Sequence, residues 1–152
     1  MGMKKWLYIV LSMFLLMASA ETFAVEKSGV SARVAARAST PTGKFYSVAF
    51  EMTLPKNLYP GVNASRHFTA ANRAMLSTLD DVTMKNLNIV MKTRSSGSII
   101  MNRSPHNWVW HHDIGKGVMQ LVPKAQHTPG SIFWKTLHPG GRGGMSLWGG
   151  GY

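Results

Sequence analysis

The stretch Asn107-Trp108-Val109-Trp110-His111-His112-Asp113-Ile114-Gly115-Lys116-Gly117-Val118-Met119-Gln120-Leu121-Val122-Pro123 decides the fold. Aromatic and β-branched residues at 108 to 110 favour an extended strand, and Val118 to Val122 repeat that composition. Between them Gly115-Lys116-Gly117 is a tight turn, so the two runs read as a hairpin. Pro123 suits the first turn of a helix, which predicts a helix over about 123 to 127 that is interrupted near Pro129-Gly130. Strand, turn, strand and helix in this order define an α+β class.

Five of the six histidines lie between positions 106 and 138, and His111 and His112 are adjacent at the end of the first predicted strand. Neighbouring strand residues point to opposite faces, so the two imidazoles diverge unless the chain bends there. They can then serve different roles. A neutral imidazole binds a transition-metal ion, while a second, with a pKa near 6.5, accepts a proton from water near neutrality. His127 and His138 downstream supply further nitrogen ligands.

Upstream, Tyr46, Val48, Phe50, Met52 and Leu54 alternate with Ser47, Ala49, Glu51 and Thr53, the period of a strand with one buried face, and Pro55 ends it. Asn63 caps a predicted helix in which Phe68, Ala71, Met75, Leu76 and Leu79 share a face while Arg66, Asn72 and Arg73 point outward. A second short helix is expected over 80 to 88, its acids at the positive end of the dipole. Residues 21–43 are small and polar with scattered positive charge, and read as a linker or a loosely held helix. The glycine-rich tail contains Met145, Leu147 and Trp148 and is expected to pack.

The chain has 152 residues, 17 Lys plus Arg against 6 Asp plus Glu, a formal charge of +11 and no cysteine. Its length is that of one domain, so a two-domain enzyme is not expected. The lack of cysteine excludes disulfides, thiolate metal sites and cysteine nucleophiles. The charge favours polyanionic partners. Residues 1–20 place Lys4 and Lys5 before an apolar run from Trp6 that closes on Ala18-Ser19-Ala20, the form of a secretory signal peptide. That run is shorter than the about 20 residues a spanning helix needs, so a cleaved leader and a periplasmic or secreted bacterial protein without membrane insertion are expected. An uncleaved anchor is the alternative.

Taken in order, Trp110-His111-His112, Met119-Gln120-Leu121-Val122-Pro123, His127, His138-Pro139-Gly140-Gly141 and Gly144-Met145-Ser146-Leu147-Trp148 resemble the WHH type of the HNH/endonuclease VII superfamily, nucleases often found as domains of bacterial polymorphic toxins. The resemblance covers residues 107–149, and the segment 66–76 is similar to the helix that precedes the motif in such domains. It implies a ββα-metal (His-Me finger) motif near the C-terminus of a domain spanning 44–152. It also implies one divalent ion (Mg, Mn, Ni or Zn) and a nucleic-acid phosphodiester substrate, DNA ahead of RNA. In that pattern His111 matches the first metal ligand and His112 the general base. Gln120 stands where an Asn often orients the base's loop, and His127 and His138 match the helix-side metal positions. The gap between the last two is longer than the family pattern.

Metal-assisted phosphodiester hydrolysis needs a proton acceptor for water and a positive centre for phosphoryl charge, and these residues supply both. Arg103, Lys116, Lys124, Lys135 and Arg142 flank the motif and are expected to hold neighbouring phosphates. The function expected is therefore an exported metal-dependent endonuclease, in an antibacterial role partnered by an immunity protein. The alternative is a non-catalytic metal- or nucleic-acid-binding envelope protein, which includes a nuclease fold that has lost activity. His67 and His106 are read as structural, Trp108, Trp110, Trp134 and Trp148 as core, and Asp113 as a turn residue or a partner of a histidine.

Overall fold

The computed structural model describes residues 24–27, 30–39 and 45–150; the expected leader lies outside them. Strands β1 (Ala24–Lys27), β2 (Val30–Ser39) and β3 (Phe45–Thr53) precede helices α1 (Ala64–Thr78) and α2 (Asp81–Asn86). Strands β4 (Trp108–His112) and β5 (Val118–Pro123) follow, then short helices α3 (Trp134–Leu137) and α4 (Gly144–Leu147). The strands form one sheet in the order β1-β2-β3-β5-β4, each pair antiparallel. The class is α+β, as expected. Among the described residues no helix is long and apolar enough to cross a membrane.

The hairpin forms where the glycines predict it. Gly117 has φ +79, and a Cβ there would meet the Tyr59 ring at 2.6 Å, so position 117 takes glycine for both conformation and space. The turn pairs Trp108 with Pro123, Trp110 with Leu121 and His112 with Met119. Helix α1 starts where Asn63 accepts from the Arg66 backbone N–H at 3.2 Å, and α2 where Asp80 accepts from that of Thr83 at 2.7 Å.

Three sequence expectations need correction. Segment 21–43 was expected to be a linker or loose helix, yet it carries β1 and β2. Its Ala-rich composition gives little strand propensity, and pairing along β3 from Ser39↔Phe45 to Ala32↔Met52 overrides that local neutrality. The helix expected over 123 to 127 is absent: β5 runs to Pro123, turns follow, and helix resumes only at Trp134. Proline is tolerated at that strand end, where the ladder stops.

Asn72, expected to face outward, is fully buried. Its amide donates to the carbonyls of Met101 and Arg103 at 2.7 and 2.8 Å and accepts from Trp110 Nε1 at 2.8 Å. One side chain thereby ties α1 to β4 and to the loop before it. Every polar atom of that amide has a partner, which is what permits its burial.

The alternation in β3 also divides. Phe50, Met52 and Leu54 pack with Ala71, Met75, Trp110, Leu121 and Trp148, whereas Tyr46 and Val48 pack with Val122 and Leu137 in a second cluster. The sheet is thus covered on both sides, by α1 and by the segment after β5. Of the tail's apolar residues Met145 and Trp148 are buried as expected, whereas Leu147 is exposed. Gly144 is obligatory here, because a Cβ would collide with the Asp113 carbonyl and the Trp148 indole.

Candidate functional site

Because β4 continues through His112, His111 and His112 stand on opposite sides of the strand. Each finds a histidine partner from elsewhere in the chain. His111 Nδ1 lies 3.0 Å from His127 Nε2, and the His138 ring stands 5.1 Å from that of His111 and 4.7 Å from that of His127. Nitrogens of all three fall within 4.8 Å of one another. His111 and His138 are buried and His127 is half-buried.

Local structure explains this convergence. The turn after β5 folds back on the strand end, with the His127 N–H on the Pro123 and Lys124 carbonyls at 3.2 and 3.1 Å. Helix α3 then ends at His138, whose N–H donates to the Trp134 carbonyl at 2.8 Å. The Trp134 ring stacks on His138 with centroids 3.9 Å apart and meets His127 edge-on at 5.7 Å. Across the β4–β5 pair from His111 sits Gln120. Its amide donates to Glu51 at 2.7 Å and accepts from the Tyr46 hydroxyl at 3.1 Å. Burial, then the charges of Asp113 and Glu51, push the Tyr46 phenol up to about 12, so it stays a donor.

The cluster fits a metal ion. Two nitrogens each 2.0–2.1 Å from a tetrahedral ion stand about 3.3 Å apart, close to the His111–His127 separation of 3.0 Å. His111 Nε2 and His138 Nδ1 are buried without a hydrogen-bond partner among the described residues. Leaving such a group unsatisfied costs about 1–3 kcal/mol; an ion takes one nitrogen of each ring, so one seated on His111 Nδ1 opposite His127 does not relieve Nε2 of that same ring. All three rings are held neutral, the form that coordinates. Burial, followed by the charges of His127, His138 and His112, lowers His111 to about 3; burial and then His138 lower His127 to about 4. Burial also lowers His138.

On the other side His112 is 5% exposed, and its Nε2 lies 3.0 Å from Nδ1 of the fully buried His67 on α1. His67 Nε2 in turn lies 2.7 Å from the Leu58 carbonyl. Phe68 and Trp148 pack on His112 at 5.7 and 5.4 Å, and the Trp148 Nε1–H donates to the Asp113 carbonyl at 2.8 Å. Burial, then the charges of His67 and His127, lowers His112 to about 3, which corrects the expectation of an acceptor with a pKa near 6.5: the buried ring is a much weaker base.

The structure therefore brings His111, His127 and His138 together, sets His112 apart with His67, and holds Gln120 through Glu51 and Tyr46. His67, expected to be structural, is buried and bonded to His112; that contact spans 45 positions and no local pattern announces it. Asp113 serves the turn, accepting from the Gly115 N–H at 2.7 Å. His106 is exposed, with its backbone bridged to Val90. Arg103, Lys116, Lys124, Lys135 and Arg142 are all exposed. Lys124 borders an open cleft of about 520 Å³ lined also by Asn88, Asn107, Trp108 and Thr128. Comparison with family models, with curated proteins and with solved structures found no match to this chain.

Proposed function

We propose that the chain is a metal-dependent endonuclease built on a ββα-metal motif, with β4, β5 and α3 as its parts. The observation that carries this reading is the convergence of three neutral imidazoles beside a fourth on the opposite side of the same strand end. Held by His111, His127 and His138, a divalent cation would supply positive charge to a phosphoryl oxygen and to the departing oxygen. An all-nitrogen donor set suits zinc or nickel better than magnesium, which prefers oxygen.

In-line displacement puts the attacking water and the leaving oxygen on opposite sides of phosphorus. The divergence of His111 and His112 matches that requirement, with charge neutralisation on one flank and proton acceptance by His112 on the other. Exposed Lys116, Lys124, Lys135, Arg103 and Arg142 hold flanking phosphates without reading sequence. Export to the periplasm or beyond, and an immunity partner, belong to the same proposal.

A second reading has one observation in its favour. His111 is 2% and His138 8% exposed, the enclosure typical of a structural metal site. In that reading the ion clips the segment after β5 to the hairpin, and no chemistry follows. Cleavage of plasmid DNA and of total RNA by the purified chain, with Zn, Ni, Mn or Mg added and with EDTA and His112→Ala controls, separates the two. Cleavage that needs both ion and His112 supports the nuclease. Stabilisation by the ion without any cleavage supports the clip.

A further inference from the structure

The pair behind the sheet carries an inference about which nitrogen of His112 is free. The Leu58 carbonyl only accepts hydrogen bonds, so His67 Nε2, 2.7 Å away, must carry a proton. A second proton on His67 would place a charge on a ring with no solvent exposure, packed 5.7 Å from the Trp148 ring, and burial disfavours that form. His67 Nδ1 is then a lone-pair acceptor. His112 Nε2, 3.0 Å away, must donate to it.

We propose that His67 is a positioning residue for His112: the Leu58 carbonyl fixes the His67 tautomer, His67 fixes His112 as the Nε2–H tautomer, and Nδ1 of His112 is left as its lone-pair nitrogen. The chain of bonds starts at a backbone group, so it contains no titratable anchor and cannot be reversed by rotating a side-chain carboxylate. The enclosing rings of Phe68 and Trp148 hold the His112 ring, and Trp148 is itself locked through its bond to the Asp113 carbonyl. An imidazole oriented in this way presents one defined nitrogen, as a histidine oriented by a carboxylate does. The tautomer stands on the geometry alone. Its use, with Nδ1 taking the proton from attacking water, rests on the nuclease reading.

The test is nitrogen-15 NMR of the imidazoles in the full chain at about pH 8, above the ordinary histidine pKa near 6.5, combined with two variants. His67→Phe keeps a flat ring and removes the acceptor, whereas His67→Gln retains an amide oxygen that can accept. The wild type is expected to show a protonated Nε2 and an unprotonated Nδ1 at His112. In His67→Phe the two tautomers are expected to mix, and in His67→Gln the Nε2–H form is expected to return. A wild-type His112 protonated on Nδ1 overturns the proposal even if both variants fail to fold. An unchanged tautomer in folded His67→Phe overturns it as well.

Cleavage assays on the same samples separate the two readings. Where DNA or RNA is cut, His67→Phe is expected to lower kcat at least 10-fold with KM little changed, and His67→Gln to recover part of that loss. A correct tautomer without cleavage by any variant leaves the relay standing and removes the nuclease.

Discussion

Two histidine clusters sit back to back on one edge strand, and they differ in what they lack. The His111, His127 and His138 group has converging rings and two buried nitrogens without partners among the described residues. The His112 and His67 group forms a hydrogen-bonded chain that ends on a backbone carbonyl. The first arrangement brings three ring nitrogens close enough to hold an ion; the second is hydrogen-bonded at its inner end. Residue type is identical and the positions are consecutive, so strand alternation alone sends His111 and His112 to the two sides. Aromatic walls reinforce the separation, with Trp134 against His138 and Trp148 against His112.

The largest expected effect is on turnover. His112→Ala is expected to lower cleavage by roughly 10²–10⁴, the usual contribution of a general base, while ion binding stays at the parent level. A variant that cuts as fast as the parent removes His112 from the chemistry.

Acid should affect both clusters together. In the metal-free chain His111 and His112 are depressed to about 3, so the folded state refuses protons that the unfolded state takes up near pH 6.5. Their stabilising contribution is therefore present above pH 6.5 and is lost progressively as the pH falls toward 3, at up to about 1.4 kcal/mol per pH unit for each group. The urea midpoint measured in EDTA should fall steadily between about pH 7 and pH 4. A midpoint independent of pH over that range contradicts the buried neutral assignment.

The hairpin turn aligns both clusters at once. Gly117→Ala forces an alanine to φ +79 and into the Tyr59 ring. It is expected to cost about 1–2 kcal/mol from the backbone alone and to weaken ion binding and turnover in parallel. An effect on only one of them would show that the clusters are positioned separately. The smallest expected change is at the exposed Lys124. Its replacement by Gln should reduce the salt dependence of DNA binding by about one unit of log–log slope, uniformly across sequences.

The legible parts of this fold are those whose signals are local. The Gly115-Lys116-Gly117 turn, the Asn63 cap and the strand read from the alternation between Tyr46 and Leu54 rest on signals within a few residues, and each element appears where the chain indicates. The clustered histidines are also visible in the sequence, as a crowd of one residue type. What escaped depends on partners outside the segment itself. Strand β1 exists through pairing with β2 and β2 through pairing with β3, Asn72 is buried because Trp110 and two loop carbonyls satisfy it, and His67 meets His112 only once α1 packs on the sheet. The helix expected after Pro123 failed for a related reason: proline fits a strand end as well as a helix start, and the β4–β5 ladder extends to Pro123.

On the proposed function, alternation along β4 divides the histidines into an ion cradle and a proton acceptor. Equilibrium dialysis against Zn or Ni of the parent, His111→Ala and His112→Ala, each shown to be folded, tests it most directly. The expected result is one ion bound by the parent and by His112→Ala, with affinity lost in His111→Ala. Equal retention or equal loss in the two variants would contradict it.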